Sequence, residues 1–464
     1  MTVPSAEIRF EPQPKAAAVI EQAVLKACRL SGWLERFQQR LLSETGTRLI
    51  DWLETIGVAL SRPELEQLGF IPVNGPPGDP GRMYHAGAQL PRVIPDQPED
   101  AVTVAWRVES VVDFGLAQGW NDRSQWVGGP DAAVRRVRVP ASDTRPSASE
   151  AASGEKVELW AIEQHGTTSW TPHSNHTLDV ARQQYWRERL LLRDRSSLDP
   201  KVAWQRLSEL VGELVDEVGT GWGADLFFAS ERRYWQSRNR AARVQAMRQA
   251  SLGLGWANHD HHTYRSSRSD FRHLVALMER LGLECRERFY AGHQAGWGAQ
   301  VMEHPTAGVV VFADVDLRPD ELSDDFAHHG LPSSDRFGTV GLWCELHGQA
   351  IFEAGMHHLE CQFSFEEARR QLTELGSASM QPFSDFAYLR QSFTTAELWP
   401  VSPERLQRVV ASGWISPEQA KQFSERGAAG SHLEVLERNE GYKGFNQTGI
   451  SHIIRDTDPR RLAD

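Results

Sequence analysis

Residues 258–267 read NHDHHTYRSS, a histidine- and aspartate-rich run followed closely by an arginine. If the run is a strand, alternation puts His261, Thr263 and Arg265 on one face and His262 and Tyr264 on the other. A metal-ligating imidazole would then stand beside a guanidinium able to hold an anionic group. Two later stretches offer matching chemistry. In HHLECQF (357–363), Leu359, Cys361 and Phe363 form an apolar face, and His358, Glu360 and Gln362 point the other way. In SHLEVLER (431–438), His432, Glu434, Leu436 and Arg438 share a face, with Leu433 and Val435 opposite. His261, His358 and Glu434 are thus candidate metal ligands from three separate strands. Two imidazoles and a carboxylate on one side of an ion leave its remaining positions open, the facial arrangement of non-haem Fe(II) oxygen chemistry. The bland alternatives are a polar turn at HDHH and a solvent-facing carboxylate at Glu434. A second histidine group, His165, His173 and His176, reads as a loop: Pro172 precedes His173, and no cysteine or paired histidine lies near.

These residues need strands to hold them, and the pattern after residue 255 supplies them. A histidine-bearing strand (258–266) leads to a helix, SDFRHLVALMERLG, and then to strands at ECRERFYAG, WGAQVMEHP and GVVVFADVDL. A second histidine-bearing strand (356–364) leads to the helix FEEARRQLTELG and to strands at 386–393 and 431–438, separated by a helical insertion. Two βαβββ modules can pair so that their sheets enclose one cavity. Upstream, residues 15–70, including RLIDWLETIGVAL, carry helical periodicity, and AVTVAWRVESVVDFG reads as β. Residues 141–156 read as an exposed loop, VELWAIEQHG (157–166) as a further strand, and 178–250 as long helices. There is no short-period repeat. The expected division is an N-terminal mixed α/β region (1–150), a linker strand with helices (151–229) and a metal-binding domain (230–464).

Composition narrows the function classes. The chain has 464 residues, 40% apolar and 24% charged, which suits a soluble globular protein of more than one domain. A formal charge of −12 with scattered basic residues argues against nucleic acid. The most basic stretch, 231–249, fits a solvated helix face better than a phosphate track. Cys28, Cys285, Cys344 and Cys361 form no CxxC pair, so reduced thiols in a cytoplasm are expected. The N-terminus has no signal-peptide pattern and no apolar run approaches the roughly 18 residues that span a bilayer, so no membrane partner is expected.

The C-terminal half, about 230–464, resembles the 2-oxoadipate dioxygenase/decarboxylases, or hydroxyglutarate synthases, of the vicinal oxygen chelate superfamily. NHDHHTYR resembles the family's DH-x-x-x-R strand, ELHGQAIFEAGMHHLECQF its HG…NH(L/F)T segment, FAYLRQSF its LRQ(T)SF strand, and GSHLEVLER the stretch carrying its glutamate ligand. The helix around RYWQSRNRAARVQAM is similar to its lead-in helix. His357 stands where the family often has asparagine, and Glu360 where it often has threonine. The resemblance implies an α+β fold with C-terminal paired βαβββ modules, vicinal oxygen chelate-like, enclosing a metal cavity behind a mixed α/β N-terminal extension. It implies Fe(II), or another divalent metal, on His261, His358 and Glu434, with no catalytic residue beyond the metal centre. Arg265, Arg390, Gln391 and Arg438 would bind substrate, although Arg390 and Gln391 share a cavity only across a bulge. The implied reaction converts a 2-oxo acid, 2-oxoadipate-like, and dioxygen to a 2-hydroxy acid and CO2. Two rivals are a metal-dependent lyase or isomerase and a non-catalytic scaffold binding a small acid or a protein.

Overall fold

Two sheets organise the chain, and each is assembled from two copies of one unit. The computed structural model describes residues 10–75, 78–120, 125–141, 156–172, 177–196, 199–293, 295–334, 338–446 and 458–460. Helices α1 (Pro14–Leu30) and α2 (Gly32–Arg40) precede β1 (Leu53–Gly57), α3 (Arg62–Gln67), β2 (Phe70–Pro72), β3 (Met83–His85) and β4 (Arg92–Ile94). The next unit is β5 (Ala101–Arg107), α4 (Val111–Ala117), β6 (Trp126–Val127), β7 (Val134–Val139) and β8 (Lys156–Gln164). Three helices follow: α5 (Val180–Leu191), α6 (Pro200–Ser237), which is broken at Gly219 with φ 75°, and α7 (Arg240–Ser251).

The C-terminal half opens with β9 (His259–Arg265), α8 (Phe271–Arg280), β10 (Glu284–Tyr290), β11 (Trp297–Glu303) and β12 (Val310–Asp316). Helices α9 (Phe326–His329) and α10 (Thr339–His347) connect to β13 (His358–Gln362), α11 (Phe365–Glu374), β14 (Ser384–Phe386), β15 (Leu389–Phe393) and β16 (Glu397–Trp399). The insertion is α12 (Pro403–Ala411) and α13 (Pro417–Arg426), and β17 (Ala428–Arg438) closes the sheet.

The C-terminal strand order is β10-β11-β12-β9-β13-β17-β15-β14, with β16 on β17. Each unit's first strand lies parallel to its own last strand, β9 on β12 and β13 on β17, and the two first strands run antiparallel side by side. This is the expected paired βαβββ, α+β arrangement. The apolar strand faces (Tyr264, Leu359, Cys361, Val435) pack with Leu274, Val275 and Met278 of α8 and Leu372 of α11, leaving the polar faces to one cavity.

The N-terminal half is the expected mixed α/β extension, with a topology that the expectation left open. Its order, β2-β3-β4-β1-β5-β8-β7-β6, repeats the C-terminal topology: β1 is parallel to β4, β5 parallel to β8, and β1 antiparallel to β5. The extension is therefore a second paired βαβββ sheet, hidden because its strands are shorter and its residues differ. The strand expected in a linker is β8, hydrogen-bonded between β5 and β7, so this sheet runs past residue 150. Within RLIDWLETIGVAL, Leu53–Gly57 is strand: a short apolar run fits either period, and pairing with β4 and β5 decides. Conversely, Val111–Ala117 is helix, started by Ser110, whose Oγ accepts from the Asp113 backbone N–H at 3.2 Å.

Candidate metal centre

Strand register builds the site. Glu360 on β13 is the register partner of His261 on β9 and of Glu434 on β17, while His358 pairs with Thr263 and His432. His261, Glu360 and Glu434 thus form one row across three strands, and His358 stands two residues along β13 on the same face. Same-face neighbours on adjacent strands lie close enough for long side chains to meet. The ligand atoms of His261, His358 and Glu434 all fall within 4.8 Å of one another, and all three residues are buried. His358 Nε2 is 3.0 Å from Glu434 Oε2, and His261 Nδ1 is 2.6 Å from Glu360 Oε2. Gln391 on β15 binds both carboxyls: its Nε2 donates to Glu360 Oε1 and Glu434 Oε1, each at 3.1 Å.

The groups behind this row orient it. The Nδ1 atoms of His357 and His358 are 2.8 Å apart, one donating to the other, which turns His358 Nε2 toward Glu434. Asp260 accepts two 3.0 Å bonds from Arg438 and one of 3.1 Å from Gln362, and its Oδ1 is 3.4 Å from His261 Nδ1. Burial, with the Arg265 charge beside it, holds the His358 imidazole well below its usual pKa, and burial likewise lowers His261. Both rings are then neutral, the form that ligates metal. Burial also pushes the Glu434 carboxyl up to about 7, and burial with the neighbouring Glu434 and Asp260 raises Glu360 well above its ordinary value. Among the described residues, no lysine or arginine is salt-bridged to either carboxyl. Two neutral imidazoles and clustered carboxyls without a basic partner are a donor set suited to a divalent cation.

The cavity in front of these groups is small, about 60 Å³. Six aromatic residues wall it: Phe289, Trp297, Phe312, Phe383, Phe393 and Phe445. The Phe312 and Phe445 centroids lie 4.5 and 5.4 Å from that of His261. Gln391, Asn446, Asp314 and Thr263 complete the polar lining, which contains no lysine or arginine among the described residues.

Of the proposed substrate-binding residues, the structure brings Gln391 to the cavity and leaves the arginines elsewhere. Arg390 points to the opposite strand face, over the Phe365 ring and into ion pairs with Glu366 and Asp385 (3.1 Å). The strand is regular there, so no bulge brings both side chains inward. Arg438 is buried and committed to Asp260 and to the Gly444 carbonyl at 2.7 Å. Arg265 is buried beside Asp314, its register partner on β12, with its guanidinium 5.6 Å from the Trp343 ring centroid; among the described residues Nε and Nη1 have no hydrogen-bond partner. It stands behind the lining rather than in it. Part of the basic 231–249 stretch is structural: buried Arg232 Nη1 is 3.1 Å from His262 Nε2. His165 is ion-paired to Asp225 at 2.9 Å and Glu163 at 2.8 Å, whereas His173 and His176 lie outside the described residues. Sequence reasoning gave Glu360 no role. Alternation had already turned it toward the cavity, and only the pairing of β13 between β9 and β17 shows that it sits between two ligand candidates.

No protein-family model matches this chain, and no curated protein matches it in sequence. Among solved structures, hydroxyglutarate synthase from Oryza sativa in complex with 2-oxoadipate aligns at 12% identity, covering 56% of this chain and 95% of its own, with a TM-score of 0.34. A triple mutant of 4-hydroxymandelate synthase from Streptomyces coelicolor aligns at 11% identity over 89% of this chain and 97% of its own, TM-score 0.27. Methylmalonyl-CoA epimerase from Mycobacterium tuberculosis aligns at 12% identity over 39% and 87%, TM-score 0.23. Similarity at this level says nothing about activity; the fold rests on the strand pairing above. No helix among the described residues is long and apolar enough to cross a membrane.

Proposed function

We propose that the C-terminal module pair is an Fe(II)-dependent dioxygenase that converts a 2-oxo acid and O2 to CO2 and a 2-hydroxy acid one carbon shorter. The observation that carries this reading is the convergence of His261, His358 and Glu434 within 4.8 Å on one side of an aromatic-walled cavity. Iron held there would supply Lewis acidity and adjacent open positions for a chelating 2-oxo acid and dioxygen. The chain's own residues do the rest. Gln391 fixes the Glu434 carboxylate by donating to Oε1, and His357 fixes the His358 ring. The aromatic walls exclude water from the reacting carbon. With Arg390 outside and Arg438 committed to Asp260, the lining favours an acid with an apolar or aromatic tail over one with a distal carboxylate. Arg265, beside Asp314, adds its charge to the burial that keeps the His358 imidazole neutral. A cavity of about 60 Å³ has room for about two waters, so wall side chains must move to admit such an acid.

One observation favours a second reading. Glu360 Oε2 lies 2.6 Å from His261 Nδ1 and groups with His261 and Asp260, so a swing of its carboxyl toward His358 and Glu434 would add a fourth protein donor, which suits an oxygen-independent lyase or isomerase working through an enediolate. Oxygen uptake by anaerobically Fe(II)-loaded protein, with phenylpyruvate, 4-methyl-2-oxopentanoate and 2-oxoadipate, separates the two. Uptake matched by CO2 release and lost in His358→Ala is expected. Stoichiometric metal without uptake transfers the assignment to oxygen-independent chemistry, and absence of metal binding leaves only a scaffold.

A further inference from the structure

The N-terminal sheet repeats the topology of the metal-site sheet, so it too has a face turned away from its helices. A cavity of about 580 Å³ opens on that face, walled in part by Thr103, Arg136, Arg138, Glu158, Trp160 and Trp170. Arg136 is the unusual member. It is only 8% exposed, and its guanidinium carbon lies 4.8 Å from the Trp160 ring centroid and 4.3 Å from that of Trp170. Among the described residues its guanidinium makes no hydrogen bond or ion pair, and Nε is buried without a partner. Its neighbours differ. Arg135 pairs with Glu163 at 3.1 Å, Arg138 with Glu158 at 3.4 Å, and Arg82 with Glu54 at 3.0 Å and Asp79 at 2.9 Å. Arg92 also reaches Glu54, at 3.1 Å. Of the charged residues that line the cavity, Arg138 and Glu158 pair with each other, and among the described residues Arg136 is left without an ion-pair partner.

A buried cation without an anion is costly, and burial together with Arg82 draws the Arg136 pKa down to about 10. The planar guanidinium fork matches a carboxylate, and the tryptophans hold it in a fixed plane. The remaining walls are apolar at Pro80, Ile94, Pro98, Ala101 and Val157 and polar at Gln97, and the volume lies in the ordinary range for a small-molecule site. We propose that this face is a second binding site, taking a small aromatic or apolar monocarboxylate whose carboxylate lies on Arg136 and whose body lies against Trp160 and the apolar wall. The site is separate from the metal centre and needs no metal.

Calorimetric titration of the full-length chain with benzoate tests this. Wild type and His358→Ala are expected to bind one benzoate with equal affinity, and Arg136→Gln to bind at least tenfold more weakly. On the unaltered chain, benzoate should slow phenylglyoxal modification of Arg136 at least fivefold, read by peptide mass, and leave exposed Arg318 unchanged. That measurement stands if Arg136→Gln fails to fold. Absence of binding to wild type, loss of binding in His358→Ala, undiminished binding in folded Arg136→Gln, or unprotected Arg136 would each overturn the proposal.

Discussion

Glu434 should make the chelator-treated protein lose stability as pH rises, and metal should cancel that loss. The carboxyl is 2% exposed, and burial lifts its pKa from an ordinary value near 4.5 to about 7. Because the folded-state value is the higher one, the folded state holds the proton more tightly. The stabilisation is fully present below about 4.5 and is lost as pH rises through about 7. Each tenfold difference in proton affinity is worth about 1.4 kcal/mol, so the whole interval amounts to roughly 3 kcal/mol, most of it between pH 5 and 8. Glu360, bridged to Glu434 through Gln391, is raised as well, so the two titrate as a pair and the sign is the same for both. The buried histidines act oppositely: their lowered values cost stability as pH falls below about 6.5, so wild type alone would show a mixed profile. Comparison with Glu434→Gln isolates the carboxyl. A suitable probe is thiol labelling of Cys361, buried on β13, whose exposure reports opening of the C-terminal sheet. In chelator, the variant's stability relative to wild type should rise by roughly 2–3 kcal/mol from pH 5 to pH 8. Mn(II) at a hundredfold its Kd should stabilise wild type by about 2.7 kcal/mol at pH 8 and the variant by much less. A pH-independent difference between the two proteins, or equal stabilisation of both by Mn(II), would refute the reasoning.

Two further outcomes follow from the same geometry. Asp260→Asn leaves the buried Arg438 charge without its carboxylate and should cost about 3–5 kcal/mol in Cys361 labelling, whereas Arg438→Met with Asp260→Leu should recover most of it. Arg390→Ala breaks ion pairs with the exposed Glu366 and Asp385 and the contact over the Phe365 ring; it should change stability by less than about 1 kcal/mol in the same assay and leave Mn(II) affinity in calorimetry unaltered.

The C-terminal half was legible because its strands alternate cleanly. Leu359 and Cys361 against His358 and Glu360 fixed which face each side chain takes, and β13 falls within the span read from sequence. Pairing order was not legible. Nothing local to β13 says that it lies between β9 and β17, and that order alone puts Glu360 in a row with His261 and Glu434. The arginines show the same limit: the family resemblance offered Arg390 and Arg438 as anion binders, but each finds a carboxylate elsewhere in the fold, Glu366 for one and Asp260 for the other. The N-terminal duplication escaped notice because its strands are short: β2, β3 and β4 have three residues each and β6 has two, too few for a period to emerge. Their identity lies in long-range hydrogen bonds that composition does not encode.

The place of β17 has a consequence for synthesis on the ribosome. It lies between β13 and β15, and it carries Glu434, yet it is made after both and after the α12–α13 insertion. Until it emerges, β14 and β15 are a hairpin with no sheet to join, and His261 and His358 have no carboxylate from β17 to meet. The N-terminal sheet, complete by residue 164, can close while the rest of the chain is still being translated. The three-residue candidate ligand set is therefore completed by insertion of a single late strand, and a chain truncated before residue 428 would carry both histidines without the carboxylate that joins them.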